Sequence, residues 1–362
     1  MDHKIITASS LKGDHKDSPD GALRNSPLGG LRINSDGGLK NSPDGDHKNS
    51  RKISVAPMMD WTDRHCRYFH RLLTKHTRLY TEMVTSGALI HGNQSRHLDF
   101  NIEEHPVALQ LGGSEPTDLA TCAKLGETWG YDEINLNCGC PSERVQRGSF
   151  GACLMAEPNL VADCVKAMVD VVNVPVTVKH RIGLNDHEGY DFVRDFVGTV
   201  ADAGCNVFIA HARNAILKGL SPKENREIPK LKYDYAYQLK KDFPQLTIVL
   251  NGGVNTSNDI RTHLEHLDGV MIGREAYHNP YWLAAWDREF FGDESDPLTR
   301  DEIEARMNVY ADQQVVKGST RHSVMRHIVG LCKGLSGARA WRRKMTGNDI
   351  ERVAQVLAGV EG

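Results

Sequence analysis

Residues 106–141 read PVALQLGGSEPTDLATCAKLGETWGYDEINLNCGCP and contain one complete strand–helix–strand unit. Two short apolar runs, one starting at Pro106 and one at Glu133, have the length of buried strands. Between them lie apolar residues at helical spacing, namely Leu119, Cys122, Ala123 and Leu125. This order predicts a βαβ crossover, which makes the two strands parallel.

Apolar, β-branched runs of the same kind occur eight times after residue 50. They are KISVAPM from Lys52, RLYTEM from Arg78, PVALQLGG from Pro106, EINLNCGCP from Glu133, PVTVKHRIG from Pro175, NVFIAHAR from Asn206, LTIVLNGG from Leu246 and GVMIGR from Gly269. Eight such units over about 240 residues predict an α/β fold, a closed (β/α)8 TIM barrel. A doubly wound open sheet is the alternative. It would show a glycine-rich turn after its first strand, whereas the first run ends in Ala56-Pro57-Met58.

The composition divides the chain into three parts. Residues 1–50 include octad repeats rich in Gly, Pro, Asn, Asp and Ser, which cannot bury enough apolar surface to fold, so we expect a disordered extension. A repeat solenoid and an organelle-targeting peptide are the alternatives. Residues 51–292 contain the eight runs and are the predicted barrel. Residues 293–362 are predicted to form a small all-helical domain.

The charge of the chain is unevenly distributed. From Lys317 to Lys344 there are eight Lys or Arg and no Asp or Glu, whereas the remainder carries 36 basic against 47 acidic residues. A basic segment on an acidic chain indicates an anionic partner that is met at one place.

Eight cysteines are spread over the 362 residues, and several lie in apolar runs, where a reduced Cys behaves as a small hydrophobe. No apolar stretch approaches the roughly 20 residues that span a bilayer. We therefore expect an intracellular, cytoplasmic protein without membrane contact. Cys138-Gly139-Cys140 lacks a second ligand pair at zinc-like spacing, so no metal site is predicted.

Polar residues stand at or just beyond the C-terminal ends of six runs: Gln110, Asn137, Lys179, His211, Asn251 and Arg274. In barrels this rim is where ligands bind. The last two runs end in Asn251-Gly252-Gly253 and Gly273-Arg274. The glycines let backbone N–H groups approach an anion closely, and Arg274 adds a guanidinium donor, so these ends favour a phosphate.

The rim also carries two side chains that could take part in a reaction. Cys140, just past the fourth run, could deliver a proton to a substrate carbon. A buried structural cysteine is the alternative. Lys179 could stabilise negative charge on a ligand, and a structural ion pair inside the barrel is its alternative.

Several motifs together resemble the tRNA-dihydrouridine synthase family: Ala56-Pro57-Met58, Asn137-x-Gly139-Cys140-Pro141, Val178-Lys179-x-Arg181, His211-x-Arg213 and Asn251-Gly252-Gly253. GLSPKENREIP (219–229) and GARAWRRK (337–344) resemble its A-type bacterial subfamily. The resemblance runs from about residue 52 to about residue 345. The chain departs from the pattern at Cys138, where a small aliphatic residue is expected, and in Arg147-Gly148-Ser149, where Asn and Arg are expected at the first and third places.

The resemblance implies an FMN-binding barrel followed by a small helical domain. It implies that FMN is held by Pro57, Met58, Gln110, Lys179, His211, Asn251, Gly252, Gly253, Gly273 and Arg274. It implies that Cys140 is the catalytic acid. The residues implied to contact tRNA are Asn137, which would lie between flavin and target base, Lys223, Arg226, Arg339 and Arg342.

The same resemblance implies reduction of uridines 20 and 20a in the D-loop of tRNA, with NADPH as reductant. Two alternatives remain at this point. One is a flavin barrel acting on a small pyrimidine, as in the dihydroorotate dehydrogenases. The other is a non-catalytic tRNA-binding protein. We expect a monomer.

Overall fold

The computed structural model describes residues 51–346 of the chain. The predicted disordered extension and the last part of the predicted helical domain, residues 1–50 and 347–362, lie outside the described residues. All eight predicted strands are confirmed. They are β1 (Ile53–Val55), β2 (Leu79–Thr85), β3 (Val107–Gly112), β4 (Glu133–Cys138), β5 (Val176–Arg181), β6 (Val207–His211), β7 (Thr247–Asn251) and β8 (Gly269–Ile272).

The strands form one parallel sheet in the order β1-β8-β7-β6-β5-β4-β3-β2. Its two edges meet through a bridge between Ser54 and Arg78. The Val55 N–H donates to the Arg78 carbonyl at 3.0 Å, and the Arg78 N–H donates to the Ile53 carbonyl at 3.3 Å. The sheet is thus a barrel, which confirms the predicted fold class and excludes the doubly wound alternative.

Helices follow the strands around the outside. They are α1 (Arg64–Leu73), α2 (Ser86–His91), α3 (Gln94–Leu98), α4 (Pro116–Trp129), α5 (Glu143–Arg147), α6 (Pro158–Val169), α7 (Tyr190–Asp202), α8 (Tyr233–Asp242), α9 (Ser257–Leu264) and α10 (Arg274–His278). The predicted helix between the third and fourth runs is α4, which buries Leu119, Cys122 and Ala123. These side chains join the apolar layer between strands and helices.

Strand alternation decides which residues reach the interior, because successive side chains point to opposite faces. In β4, Ile134, Leu136 and Cys138 join the outer apolar layer. Glu133 and Asn135 therefore point into the barrel, and both are fully buried. The barrel axis is consequently partly polar, and each of these groups needs a hydrogen-bond partner.

Three further helices follow the barrel: α11 (Arg300–Val316), α12 (Arg321–Met325) and α13 (Ala338–Thr346). Helix α11 begins at a capping box in which Thr299 and Glu302 satisfy each other's backbone N–H groups. It packs on α1 through Tyr310, whose ring stacks on Tyr68 with centroids 3.9 Å apart and whose hydroxyl lies 2.9 Å from His65 Nδ1. None of the helices within residues 51–346 is long and apolar enough to cross a membrane.

Candidate active site at the barrel mouth

A ladder of amide side chains runs along the barrel interior to its C-terminal mouth. Glu133 accepts from Thr177 Oγ1 at 2.8 Å, and Thr177 Oγ1 accepts from Asn135 Nδ2 at 2.8 Å. Asn135 Oδ1 accepts from Gln110 Nε2 at 2.7 Å, and Gln110 Oε1 accepts from Asn137 Nδ2 at 2.8 Å. The ladder fixes the orientation of each amide, so the mouth has a rigid floor.

The carboxylate at the foot of this ladder is held ionised. Burial by itself raises the pKa of Glu133, but the guanidinium groups of Arg51 and Arg78 outweigh it and the net pKa lies below the usual value. Arg51 Nη2 lies 2.9 Å from Glu133 Oε2, and the Tyr80 hydroxyl donates to Oε1 at 2.6 Å. A fixed acceptor at the foot sets the direction of every hydrogen bond above it.

The top of the ladder shapes the turn that carries Cys140. Asn137 Oδ1 accepts from the backbone N–H of Gly139 at 3.0 Å and of Cys140 at 2.9 Å. An Asn side chain that binds the backbone two residues on forms an Asx turn. Cys140 is partly buried, whereas Cys138 points outward into the apolar layer. The rest of the turn is closed by the Ala152 N–H, which donates to the Cys140 carbonyl at 2.9 Å.

Arg181 ties this turn to the loop after β6, and we assigned it no role from the sequence. Its Nε donates to the Gly139 carbonyl at 3.1 Å, and its Nη1 donates to the carbonyls of Asn214 at 3.1 Å and Asn225 at 2.9 Å. The signal was present in Val178-Lys179-x-Arg181, because alternation puts Lys179 and Arg181 on the same face of β5. Its partners were not predictable from that motif.

Lys179 and His211 lie beside this turn in an electropositive mouth. Lys179 Nζ donates to Asn251 Oδ1 at 2.9 Å. Burial, and then the charge of Arg181, lowers the pKa of Lys179 to about 7. Burial, and then the charges of Arg181 and Lys179, hold the pKa of His211 well below its usual value, so this imidazole is neutral.

The electrostatic interactions of the mouth also reach Cys140. Its thiol lies close enough to Lys179, Arg181 and Arg226 to interact with their charges. Within residues 51–346, the hydrogen-bond partners of Lys179 and Arg181 are neutral amide and carbonyl oxygens, and neither side chain forms an ion pair. The ion-pair alternative for Lys179 is therefore wrong for the described part of the chain. Such a mouth fits an anionic ligand.

The glycines predicted to face a phosphate follow β7 and β8, and Gly252 lies next to the His211 ring. Gly252 and Gly253 have φ of 114° and 75°, a left-handed conformation that favours glycine. An added Cβ at Gly273 would meet only ordinary van der Waals contact, with Ala56 Cβ at 3.9 Å. Arg274 Nη1 lies 2.6 Å from Glu227 Oε1, and both side chains are more than 40% exposed. Exposed pairs of this kind are weak, so a phosphate can compete for the guanidinium.

Pro57 and Met58 lie in the loop after β1, separated from the strand by Ala56, and are partly buried. The Met58 N–H donates to Thr62 Oγ1 at 2.9 Å, which turns the chain back toward α1. Asp63 caps α1 and pairs through Oδ2 with His327 Nε2 at 3.0 Å. The loop with the two predicted flavin contacts is thus anchored to the helices that follow the barrel.

The residues predicted to contact tRNA fall in two exposed places. Lys223 and Arg226 belong to the loop after β6, on the same side as Cys140. Arg339 and Arg342 lie on α13, and both are exposed. Arg226 lies close enough to Cys140, in the turn held by Asn137, to interact with its thiol, whereas Arg339 and Arg342 belong to the helices that follow the barrel.

One group of possible metal ligands lies away from the mouth, before β2, and comprises His76, Asp287 and Asp293. Their atoms have protein partners. Asp287 accepts from Thr74 Oγ1 and from the Lys75 N–H, both at 2.6 Å. Asp293 lies 2.9 Å from His76 Nε2 and 3.4 Å from Lys75 Nζ. These contacts fasten the chain after β8 to the base of the barrel.

The fold and this mouth define a (β/α)8 barrel that carries basic side chains beside a thiol at the C-terminal ends of its strands. Comparison with known proteins identifies the family. The dihydrouridine synthase family model matches residues 54–359. The chain therefore belongs to the dihydrouridine synthase family, a family of enzymes.

Its relatives named tRNA-dihydrouridine(20/20a) synthase are similar over nearly their whole length. The one from Vibrio vulnificus is 59% identical over 318 residues, covering 86% of this chain and 97% of the relative. The one from Pseudomonas aeruginosa is 58% identical over 85% of this chain and 92% of its own. The one from Escherichia coli K12 is 58% identical over 83% and 87%, respectively.

A solved structure supports the fold alone. The complex of 2-naphthoyl-CoA reductase with 2-naphthoyl-CoA matches with a TM-score of 0.51 and 10% identity, over 66% of this chain and 50% of that one.

Proposed function

We propose that this chain reduces the 5,6 double bond of D-loop uridines in tRNA, at positions 20 and 20a, with FMN as cofactor and NADPH as reductant. The names of its relatives support the substrate and the positions. The observation that carries the proposal is the Asx turn that fixes Cys140 at the edge of an electropositive barrel mouth.

The residues present fit a flavin mononucleotide. A ligand with a phosphate and an electron-accepting ring would offset the charges of Lys179 and Arg181, whose hydrogen-bond partners are all neutral. The proposed flavin contacts are Pro57, Met58, Gln110, Lys179, His211, Asn251, Gly252, Gly253, Gly273 and Arg274. Of these, the three glycines and Arg274 would hold the phosphate, and Lys179 would face the ring.

FMN, when bound and reduced by NADPH, would supply the hydride for C6 of the uracil. The double bond is conjugated to the C4 carbonyl, so enolate-like charge develops toward O4 and C5 then requires a proton. The Cys140 Sγ–H donates that proton at C5. General acid catalysis of this kind contributes about 10²–10⁴-fold to the rate. Lys179, Arg181 and Arg226 are charged groups that lie close enough to interact with this sulfur.

The target base must leave its stack to reach Cys140, at a cost of a few kcal/mol. Contacts elsewhere on the tRNA have to supply that free energy. Lys223 and Arg226 are placed to bind the strand near the mouth, and Arg339 and Arg342 on α13 would bind phosphates further away. Asn137 retains one Nδ2 hydrogen for the base, because its other polar positions are engaged in the ladder and the turn.

The test compares the full chain with Cys140→Ala and with Cys153→Ala, each loaded with FMN and given NADPH and an unmodified tRNA transcript. Cys153 is a matched control because it is also partly buried and lies in the same loop. Mass spectrometry of the nucleosides should show a gain of two mass units on a D-loop uridine for wild type and Cys153→Ala. Cys140→Ala should still bind FMN and should still oxidise NADPH slowly. It should form almost no dihydrouridine.

Full dihydrouridine formation by Cys140→Ala would contradict the role of the thiol. No gain in mass with flavin properly bound, together with turnover of orotate, would move the substrate to a small pyrimidine.

A further inference from the structure

A groove of about 830 Å³ opens beside Cys140, between the loop after β4 and the loop after β6. One wall consists of residues from Pro141 to Arg147, and the other runs from Leu217 to Pro222. None of the residues named above as flavin or tRNA contacts lines it. Its size is in the range of specific ligand sites, which is about 300–1,000 Å³.

The groove is rigidly built. Gln146 Nε2 donates to the Pro141 carbonyl at 2.8 Å and to the Leu217 carbonyl at 3.1 Å, so one amide joins both walls. Behind the second wall, the fully buried Asn225 donates to the carbonyls of Ile216 at 2.9 Å and Leu220 at 3.2 Å. A ligand would therefore meet a preformed surface, at little cost in loop ordering.

Its chemistry combines positive charge with apolar surface. Arg147 and Lys218 lie on opposite walls and are exposed, and Glu143 is the one acid among the lining residues. The Glu143–Arg147 pair is long at 3.9 Å, and both side chains are more than 80% exposed, so it contributes little. Leu217 and Leu220 on one wall are partly exposed and offer apolar contact. Phosphate beside an apolar ring or sugar is the matching ligand chemistry.

We propose that this groove binds the ribose–phosphate backbone of the nucleotide next to the target uridine. The inference rests on the proposed function, because it assumes that the uridine lies at Cys140. Pro141 directly follows Cys140, at a Cα separation of about 3.8 Å. A strand whose base reaches the thiol therefore passes the groove within one nucleotide. Arg147 and Lys218 bind the phosphate from the two sides.

The test uses the full, FMN-loaded chain and binds it to tRNA over a range of salt concentrations. Arg147→Ala combined with Lys218→Ala should weaken binding about tenfold and lower the salt slope by about 0.7, since the two side chains neutralise one phosphate and each neutralised phosphate of a single strand contributes about 0.7. The matched control combines Lys124→Ala with Lys241→Ala. These two lysines are equally exposed, but they lie on the outer helices α4 and α8. The control should keep wild-type affinity and slope.

A chemically modified tRNA tests which phosphate the groove binds. Replacing the phosphodiester next to the target uridine by an uncharged methylphosphonate should weaken wild-type binding by several-fold. The same replacement should have almost no further effect on the double variant. When two groups contact each other, the free-energy changes from removing each of them do not add.

Unchanged affinity and slope in the double variant, with dihydrouridine still formed, would overturn the groove assignment and leave the proposed function standing. The groove assignment would also be overturned if the methylphosphonate weakened binding of the double variant as much as it weakens binding of wild type. Absence of dihydrouridine formation in wild type would overturn the proposed function, and the groove assignment with it.

Discussion

Lys179 provides a pH-dependent test of the flavin site. In the unliganded protein its pKa is lowered to about 7, chiefly by burial and also by Arg181. An anionic ligand beside the amine would restore the charged form. Binding would then require proton uptake at every pH above 7. FMN affinity should fall about 50-fold between pH 7 and 9, as follows from a pKa of about 7 in the free protein and one above 9 in the complex.

The assay is a fluorescence titration of FMN at several pH values in a Cys140→Ala background, which removes the neighbouring thiol. His211 stays neutral over this range because its pKa is held well below its usual value. The ligand's phosphate is already a dianion, since the second pKa of a phosphate ester is about 6. Lys179→Gln should bind FMN more weakly and without the pH dependence. Lys179→Arg should also show a flat profile, because its charge is fixed.

The stability of the FMN-free protein should change in the opposite direction. Between pH 7 and 10 the unfolded chain keeps a proton on Lys179 that the folded protein has lost, so the unfolded state binds more protons. The free energy of unfolding contributed by this residue therefore rises with pH in that window. An FMN affinity that is flat from pH 7 to 9, or that falls equally in Lys179→Gln, would refute the placement of Lys179 against the flavin.

Two further predictions concern the parts that hold the mouth in place. Asn137→Ala removes the acceptor of two backbone N–H groups, so we expect a loss of about 2–4 kcal/mol in the free energy of unfolding and a larger loss of dihydrouridine formation than of FMN content. The control is Asn135→Ala, one step deeper in the ladder. It should lower the free energy of unfolding by a similar amount but retain more dihydrouridine formation. Equal losses of activity in the two variants would argue against a role of the Asx turn in the reaction. Asp63→Asn weakens the pair with His327 and should lower the free energy of unfolding by about 2 kcal/mol in urea titrations. Because His327 holds the pKa of Asp63 below its usual value against the effect of burial, this contribution is present above about pH 4 and is lost as the pH falls further; a variant as stable as wild type at pH 7 would contradict it.

The strands were predictable because their signal is local. Each run is short, apolar and β-branched, and alternation along β4 and β5 already separates the inward Asn137 and Lys179 from outward neighbours such as Leu136 and Val178. The rim residues could therefore be placed at one end of the barrel from the sequence alone. Their assignment to FMN is still a prediction.

The ladder was not predictable, because it depends on register between strands. Gln110 pairs across from Asn135, and Asn137 across from Lys179. A shift of one residue would turn these side chains to the outer face. The contact of Arg181 with the Asn225 carbonyl spans 44 residues. No local pattern encodes that distance.

The basic segment after Lys317 shows why a count of charges overstates a binding surface. Arg321 pairs with Asp312, and Lys333 pairs with Glu275, which follows β8. Arg326 pairs with Asp63 at 3.0 Å. Lys344 Nζ also lies 3.9 Å from Glu304 Oε1, so at least four of the eight charges act within the fold, where they hold the helices together and fasten them to the barrel. The sequence could not show this because the acidic partners all lie outside the segment.

Exposed positive charge is concentrated on one face of α13. Trp341 and Met345, one turn apart, point inward, and Trp341 Nε1 donates to Glu304 Oε2 at 2.6 Å. Helical spacing then directs Arg339, Arg342 and Arg343 away from that anchor, and all three are exposed. A helix that is buried on one side by Trp341 and basic on the other can hold its cations in fixed positions. Fixed cations match a structured polyanion better than a mobile tail does, because less side-chain and backbone entropy is lost on binding.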